Sequence, residues 1–185
     1  MAGRIAAAAK RVGFHDDTAL RMGTLFDRVI EHRLASVSDE RDPEFLHPGR
    51  TAIILMEDVR VLDYACVAAG IALDSLFPGR SPDKATLISW GEDEAARLLD
   101  EIGVGADDEV LTEALVTSSD AARTAALAER LDHARHLHLR DPRGWSAFHE
   151  AVVRLYLPLA ARTNATLERR YQWWAGMFAT RFLCA

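Results

Sequence analysis

Cysteine is scarce in this sequence, and its two copies lie far apart. Cys66 and Cys184 form neither the closely spaced even set of a disulfide framework nor the Cys-x-x-Cys pair of a zinc site. No stretch approaches the roughly 20 uninterrupted apolar residues that cross a bilayer. The N-terminal MAGRIAAAAKRVG also lacks the apolar run of a secretory signal, because Lys10 and Arg11 interrupt it. We therefore expect a cytoplasmic protein with reduced thiols.

An excess of positive charge is also missing. The chain has 22 Lys and Arg against 28 Asp and Glu, which gives a net charge of -6 and no general field that attracts a polyanion. Nucleic acid and membranes are therefore not expected as partners. Internal repeats and low-complexity linkers are absent, and 185 residues suffice for one well-buried core but hardly for two. The sequence predicts a single domain over residues 1–185, with residues 1–16 left open as a flexible or peripheral segment.

Apolar residues recur at intervals of three and four along most of the chain, which is the period of a helix. This pattern predicts an all-α fold. Asp63 and Asp120 are predicted to cap helices, and breaks are predicted at residues 77–79 and 141–144, where prolines occur. Residues 36–50 form the longest polar irregular stretch. The predicted helices cover residues 17–35, 48–59, 63–76, 91–102, 108–116, 120–139, 144–161 and 165–183.

Five short stretches, each common on its own, follow one another in an informative order. They are LHPGRTAIIL (46–55), VAAGIALD (67–74), WGEDEAARLLDEI (90–102), LAERLDHARHL (127–137) and YLPLAARTN (156–164). Over nearly the whole chain, this order resembles the HD-type metal-dependent phosphohydrolases, and most closely the (p)ppGpp hydrolase domain of the RelA/SpoT alarmone enzymes. The resemblance implies an HD-type helical bundle, in which an early His, a His-Asp pair and a distal Asp bind one divalent metal such as Mn.

The resemblance also implies particular ligands and particular losses. His47 corresponds to the first ligand, Asp74 to the aspartate of the His-Asp pair and Glu129 to the distal aspartate. Leu73 stands at the histidine of the pair; it cannot coordinate a metal, and we expect it to be buried among apolar neighbours. Phe77-Pro78 replaces a Glu-Asp pair that manages water in the family, and neither residue can transfer a proton. The resemblance therefore predicts three ligands that face one another across a cleft and form a vestigial or weak metal site.

Ordinary structural roles compete with metal binding at each of these positions. His47 is equally compatible with a half-exposed loop residue or with a hydrogen-bonding group at the start of a helix. Asp74 lies on an apolar face, where an unpaired carboxylate is costly, so an ion pair with Arg50 or Arg135 is favoured over a metal. Glu129 stands in a mixed-charge segment of the kind that usually forms a solvated helix face.

A histidine-rich stretch follows Glu129. His133, His136 and His138 have spacings that allow shared faces on a helix, but the sequence shows no fixed additional ligand, which favours a structural role for them. Together with Arg50 and Arg135, His133 is instead a candidate contact for a nucleotide-like small molecule.

These observations lead to three functional hypotheses. The first is a pseudoenzyme, a degenerate HD-fold module that binds a ligand or regulates, requires no cofactor and shows little or no Mn-dependent hydrolysis. The alternative is an active phosphohydrolase that acts on a nucleotide such as (p)ppGpp, with Mn or another divalent metal and a histidine from elsewhere in place of the lost one. The third is a helical interaction scaffold or homodimer, since fold alone does not determine function.

Overall fold

A computed structural model of the chain describes residues 1–35, 42, 44–103 and 107–184. Within these ranges the protein forms helices, turns and irregular connections without any strand, so the all-α prediction is confirmed. No candidate for a membrane-spanning helix is found in the same ranges. The α-helices are α1 (Ala2–Val12), α2 (Asp16–Arg33), α3 (His47–Ile53), α4 (Tyr64–Ala72), α5 (Lys84–Ser89), α6 (Asp93–Ile102), α7 (Asp108–Thr117), α8 (Asp120–His136), α9 (Trp145–Ala151), α10 (Leu157–Thr163) and α11 (Ala165–Phe178).

Tighter and wider helical turns extend or join these elements. The π-helical turns are Ile54–Val59, Val152–Tyr156 and Ala179–Leu183, and the 3-10 turns are Pro78–Arg80, Leu137–Leu139 and Pro142–Gly144. The last of these lies at the break predicted around Pro142.

Helix α8 forms much of the interior and contacts α3, α4, α6 and α11. Alanines such as Ala125 and Ala128 are fully buried along it, and their small side chains allow neighbouring helices to approach closely. Four polar residues of the same helix, Glu129, Arg130, Asp132 and His133, are also buried. Because buried charges need partners, this part of α8 is where a functional site is expected.

Glycine permits a second close approach, between α3 and α4. A Cβ added at Gly70 on α4 would overlap the Cδ1 atom of Leu55 and lie 3.2 Å from the Cγ2 atom of Thr51. Both neighbours are fully buried. The absence of a side chain at Gly70 therefore lets α3 pack tightly against α4, and both helices contact α8.

Two caps were predicted, and one of them is confirmed. Asp63 caps α4, since its carboxylate accepts a hydrogen bond from the Ala65 amide at 2.9 Å. Asp120 does not cap α8. The cap is Ser119, which has extended backbone geometry and whose hydroxyl oxygen accepts from the Ala122 amide, whereas Asp120 is already the first helical residue.

Helix α4 ends well before the predicted stop at Pro78. Leu73 has extended backbone angles (φ -76°, ψ 134°), and its side chain is fully buried in the core, as expected. The next residue, Asp74, has its amide bound to the Ser81 hydroxyl at 2.8 Å, and its carboxylate accepts from the Phe77 amide at 2.9 Å. The end of α4 is thus set by local hydrogen bonds of Asp74 rather than by proline.

Two helices were not predicted. Residues 1–16 contain α1, which packs against α2 and fully buries Ile5, Ala8 and Ala9. The short helix α5 follows the 3-10 turn at Pro78–Arg80. Part of the predicted polar loop, residues 36–41 and 43, lies outside the described residues, and its last residues already belong to α3.

Candidate metal centre

Four fully buried side chains converge on one point. They are His47 at the start of α3, Asp74 after α4, and Glu129 and His133 on α8, and one ligand atom from each lies within 4.8 Å of all the others. His133 Nε2 is 2.8 Å from Glu129 Oε1 and 3.4 Å from Asp74 Oδ1, and His47 Nε2 is 3.5 Å from Glu129 Oε1. Ligands about 2.1 Å from one ion are roughly 3.0 Å apart in an octahedral site and roughly 3.4 Å apart in a tetrahedral one, so these spacings suit a shared cation, and an octahedral ion would keep positions for water.

Local sequence explains how each of these side chains is placed. His47 begins α3 directly before Pro48, a residue that is favoured in the first turn because it needs no amide donor there. Glu129 and His133 are four residues apart on α8 and therefore share one face of the helix. Asp74 reaches the same point because α4 ends at Ala72.

The two Nε2 atoms are the strongest evidence that a metal fits here. The rings of His47 and His133 stack with centroids 4.1 Å apart, and both Nε2 atoms are buried. Neither forms a hydrogen bond with any of the residues that the structure describes, although Glu129 lies close to both. Buried polar atoms without a partner are costly, and a cation between the rings and the carboxylates would satisfy both nitrogens. Two imidazoles and two carboxylates suit Mn, Fe or Zn.

Comparison with protein-family models, with curated proteins and with solved structures gave no match. The centre is interpreted from its own geometry.

The outer nitrogen of His47 faces an anchored carboxylate. His47 Nδ1 is 2.8 Å from Asp132 Oδ2, and Asp132 accepts from Arg50 Nε at 2.9 and 3.0 Å through its two oxygens. Asp132 is buried, which disfavours its ionised form, but the hydrogen bonds with His47 and Arg50 lower its pKa to about 2. Asp132 is therefore an ionised acceptor beside the imidazole.

The outer nitrogen of His133 has two neighbours of opposite kinds. Its Nδ1 is 3.1 Å from Glu44 Oε2 and 2.8 Å from Arg140 Nη2. Arg140 also forms an ion pair with Glu44. An acceptor and a donor thus both lie against the same ring nitrogen.

The predicted ion pair of Asp74 exists, but its partner was predicted wrongly. Asp74 pairs with Arg33 of α2 at 2.8 Å, and both side chains are buried. Arg50 is bound to Asp132, and Arg135 is bound to Asp58 at 2.9 Å. Arg33 also donates to the backbone carbonyl of Glu44, so this one guanidinium links two segments of the centre. The compensating charge comes from α2, and no motif or spacing in the sequence indicates that this helix lies beside Asp74.

The acidic surroundings raise the pKa values of both imidazoles. Burial lowers the pKa of His133, but Glu129, Asp74 and Glu44 together raise it to about 10. For His47, burial and the charge of His133 lower the pKa, and contacts with Asp132 and Glu129 outweigh them and raise it. The pKa of Glu129 lies well below its ordinary value despite burial, mainly because of His133. A metal bound here would therefore displace protons.

The structure brings together the three predicted metal ligands His47, Asp74 and Glu129. Glu129 lies on a buried helix face, which contradicts the solvated-face interpretation. His133, predicted only as a ligand contact, joins them as a fourth donor. The spacing of Glu129 and His133 was a signal for this, since residues four apart share a helix face.

The other predicted residues lie outside the four-donor set. Arg50 contacts the centre through Asp132, and Arg135 is the partner of Asp58. His136 binds the backbone carbonyl of Asp132, and His138 stacks on Phe182. Glu44, Asp132, Arg33 and Arg140 were not predicted as parts of the site.

Proposed function

We propose that this protein is a divalent-metal-dependent phosphohydrolase of the HD type, with a metal centre formed by His47, Asp74, Glu129 and His133. The observation that carries the proposal is the pair of buried Nε2 atoms without hydrogen bonds, which face two carboxylates at one point. A divalent ion at such a site would activate water and neutralise charge on a phosphoryl group.

The position of His133 removes the main objection to this function. Leu73 leaves the family pattern one histidine short, and the resulting three-ligand site favoured a pseudoenzyme. His133 supplies an imidazole from α8 instead of α4, and its Nε2 lies within 3.4 Å of Asp74 and within 2.8 Å of Glu129. The number of donors is thereby restored with a different histidine. This supports the active alternative over the degenerate one.

Two arginines beside the centre favour an anionic substrate. The guanidinium carbons of Arg80 and Arg140 lie 4.1 and 5.1 Å from the ring centroid of Phe77, and that ring is 6.4 Å from the ring of His133. Both arginine side chains are partly exposed. Guanidinium groups bind phosphate through paired hydrogen bonds, so a phosphate ester or a nucleotide such as (p)ppGpp fits this charge pattern.

The first test is metal content followed by turnover. The protein is purified without chelator, its Mn, Fe and Zn contents are measured, and hydrolysis of guanosine 3'-diphosphate alarmones and of a simple phosphomonoester is assayed with added Mn. We expect about one metal per chain and hydrolysis that is lost in His47→Ala. A wild-type protein that retains no metal after incubation with Mn, Fe or Zn would refute the proposal.

The second candidate function is a metal-binding module without hydrolytic activity. The identity of Phe77 and Pro78 favours this function. These residues stand where the resembling family has two carboxylates, and neither can transfer a proton. The same experiment separates the two functions, because full metal occupancy without turnover of any phosphate ester would support the second.

A further inference from the structure

We infer that Asp132 is a positioning residue, which holds the His47 ring with its hydrogen on Nδ1 and its Nε2 lone pair toward the metal centre. This inference rests on the proposed metal binding. Asp132 is not one of the four donors. Its role would be to determine which nitrogen of the His47 ring carries the hydrogen and in which direction the ring points.

The surroundings of His47 Nδ1 allow one neutral tautomer. Asp132 Oδ2 lies 2.8 Å away and Glu44 Oε2 lies 3.9 Å away, and both are carboxylate oxygens that can only accept when ionised. The shared hydrogen must therefore be on Nδ1, which leaves the lone pair on Nε2. That atom is the one of the two ring nitrogens that points to Glu129.

Asp132 is itself held in place, as a positioning residue must be. Its side chain is 1% exposed, and the Arg50 guanidinium contacts it through Nε at 2.9 and 3.0 Å and through Nη2 at 2.8 Å. Because Arg50 and His47 are both on the first turn of α3, the carboxylate from α8 binds two side chains of the same helix. This contact fixes α3 against α8 and the imidazole within it.

His133 provides an internal contrast. Its Nδ1 is close to an acceptor, Glu44, and also to a donor, Arg140, so its surroundings do not select one tautomer. A Glu44→Gln change would leave Arg140 beside the ring. The effect on metal binding should consequently be larger for Asp132→Asn than for Glu44→Gln.

The experiment measures Zn²⁺ affinity by competition with a chromophoric chelator. An amide at position 132 can present its NH₂ group to Nδ1 and thereby force the hydrogen onto Nε2, as well as removing a charge. We expect Asp132→Asn to weaken Zn²⁺ binding by about 10- to 100-fold, the usual effect of losing an outer partner of a metal-binding histidine. Asp132→Glu should recover part of the loss. The control is Asp58→Asn, which removes a carboxylate bound to Arg135 and Arg170 away from the imidazoles.

Nitrogen NMR of the Zn²⁺-loaded, ¹⁵N-histidine-labelled protein separates positioning from general stability. Wild-type His47 should show a protonated Nδ1 and a zinc-bound Nε2, this pattern should change in Asp132→Asn, and it should be unchanged in Asp58→Asn. Unaltered affinity and unaltered His47 shifts in Asp132→Asn would overturn the inference while the proposed function stands. Failure of the wild-type protein to bind Zn²⁺, Mn²⁺ or Fe²⁺ would overturn both.

Discussion

His133 and His138 belong to one histidine-rich stretch but have different surroundings. His133 is fully buried between Glu129 and Glu44, whereas His138 is exposed and stacks on Phe182. We expect His133→Ala to lower metal affinity by more than the roughly 100-fold that loss of an outer partner can cause, because a donor itself is removed. His138→Ala should keep the wild-type affinity. Metal content after dialysis checks both variants, and equal retention by them would exclude His133 as a ligand.

Leu73 is buried in the apolar core, so we expect that a histidine placed there would not rebuild the His-Asp pair of the HD-type enzymes that the sequence resembles. The side chain is fully inaccessible and belongs to the same apolar cluster as Ile71 and Leu127. We expect Leu73→His to destabilise the protein by about 2 kcal/mol or more, since a polar ring would be buried without a designed partner. Leu73→Ile should cost less than about 1.5 kcal/mol. Urea unfolding measures both, and tighter metal binding by Leu73→His would contradict this view.

Some residues of the centre could be predicted from the sequence, and others could not. His47, Asp74 and Glu129 came from the order of motifs, and His133 lies one helical turn from Glu129. Arg33 carries no such signal, because it is 41 positions before Asp74 and is brought to it only by the packing of α2 against α4. Residues that meet only through tertiary contacts have no characteristic spacing in the sequence by which they could be predicted.

At the scale of single elements, helix periodicity predicted most of the helices, while their ends depended on contacts that periodicity does not contain. Helix α4 stops at Ala72 because Asp74 binds the amide of Phe77 and Ser81 binds the amide of Asp74. These are side-chain hydrogen bonds across a turn, and they override the expected stop at Pro78. Helix α1 was not predicted because small alanines form most of its buried face, on which Ile5 is the one large residue.

The packing of α3 on α4 can be tested by alanine substitutions at two glycines. Gly70→Ala would push against Leu55 and Thr51 in the core, so we expect a loss of about 1–3 kcal/mol in the free energy of unfolding. Gly176→Ala, on α11, meets no atom of the described residues within 4 Å and should be neutral or stabilise the helix by up to about 1 kcal/mol. Thermal unfolding of the two variants gives the comparison, and a Gly70→Ala protein as stable as Gly176→Ala would show that α3 can move away from α4 at little cost.

For the whole molecule, the raised pKa of His133 links stability to pH. The pKa of His133 is raised from 6.5 to about 10 in the folded protein, so the folded state binds this proton more tightly than the unfolded state. The resulting stability is fully present below pH 6.5 and is lost as the pH rises toward 10. We expect the metal-free protein to become less stable over this range.

The metal-loaded protein should respond differently to the same change of pH. A divalent ion bound at the proposed centre would replace the proton on His133 and would bind the folded state, so added metal should raise the unfolding temperature, with a growing effect from pH 6.5 toward 10. Calorimetric melting with and without Mn measures this. Parallel pH profiles for the two forms would contradict the predicted proton displacement.

The complete burial of His47, Asp74, Glu129 and His133 also has a kinetic consequence. An ion held by four inaccessible donors from three segments can leave only when α3, the end of α4 or α8 opens locally. The rate of metal release should therefore reach a plateau as chelator concentration increases, because opening rather than capture becomes the slow step. That plateau would match the opening rate of α3, measured by exchange of its hydrogen-bonded amide hydrogens under conditions in which opening limits exchange. The affinity of the centre would then be set by how seldom the protein opens as much as by the strength of its ligands.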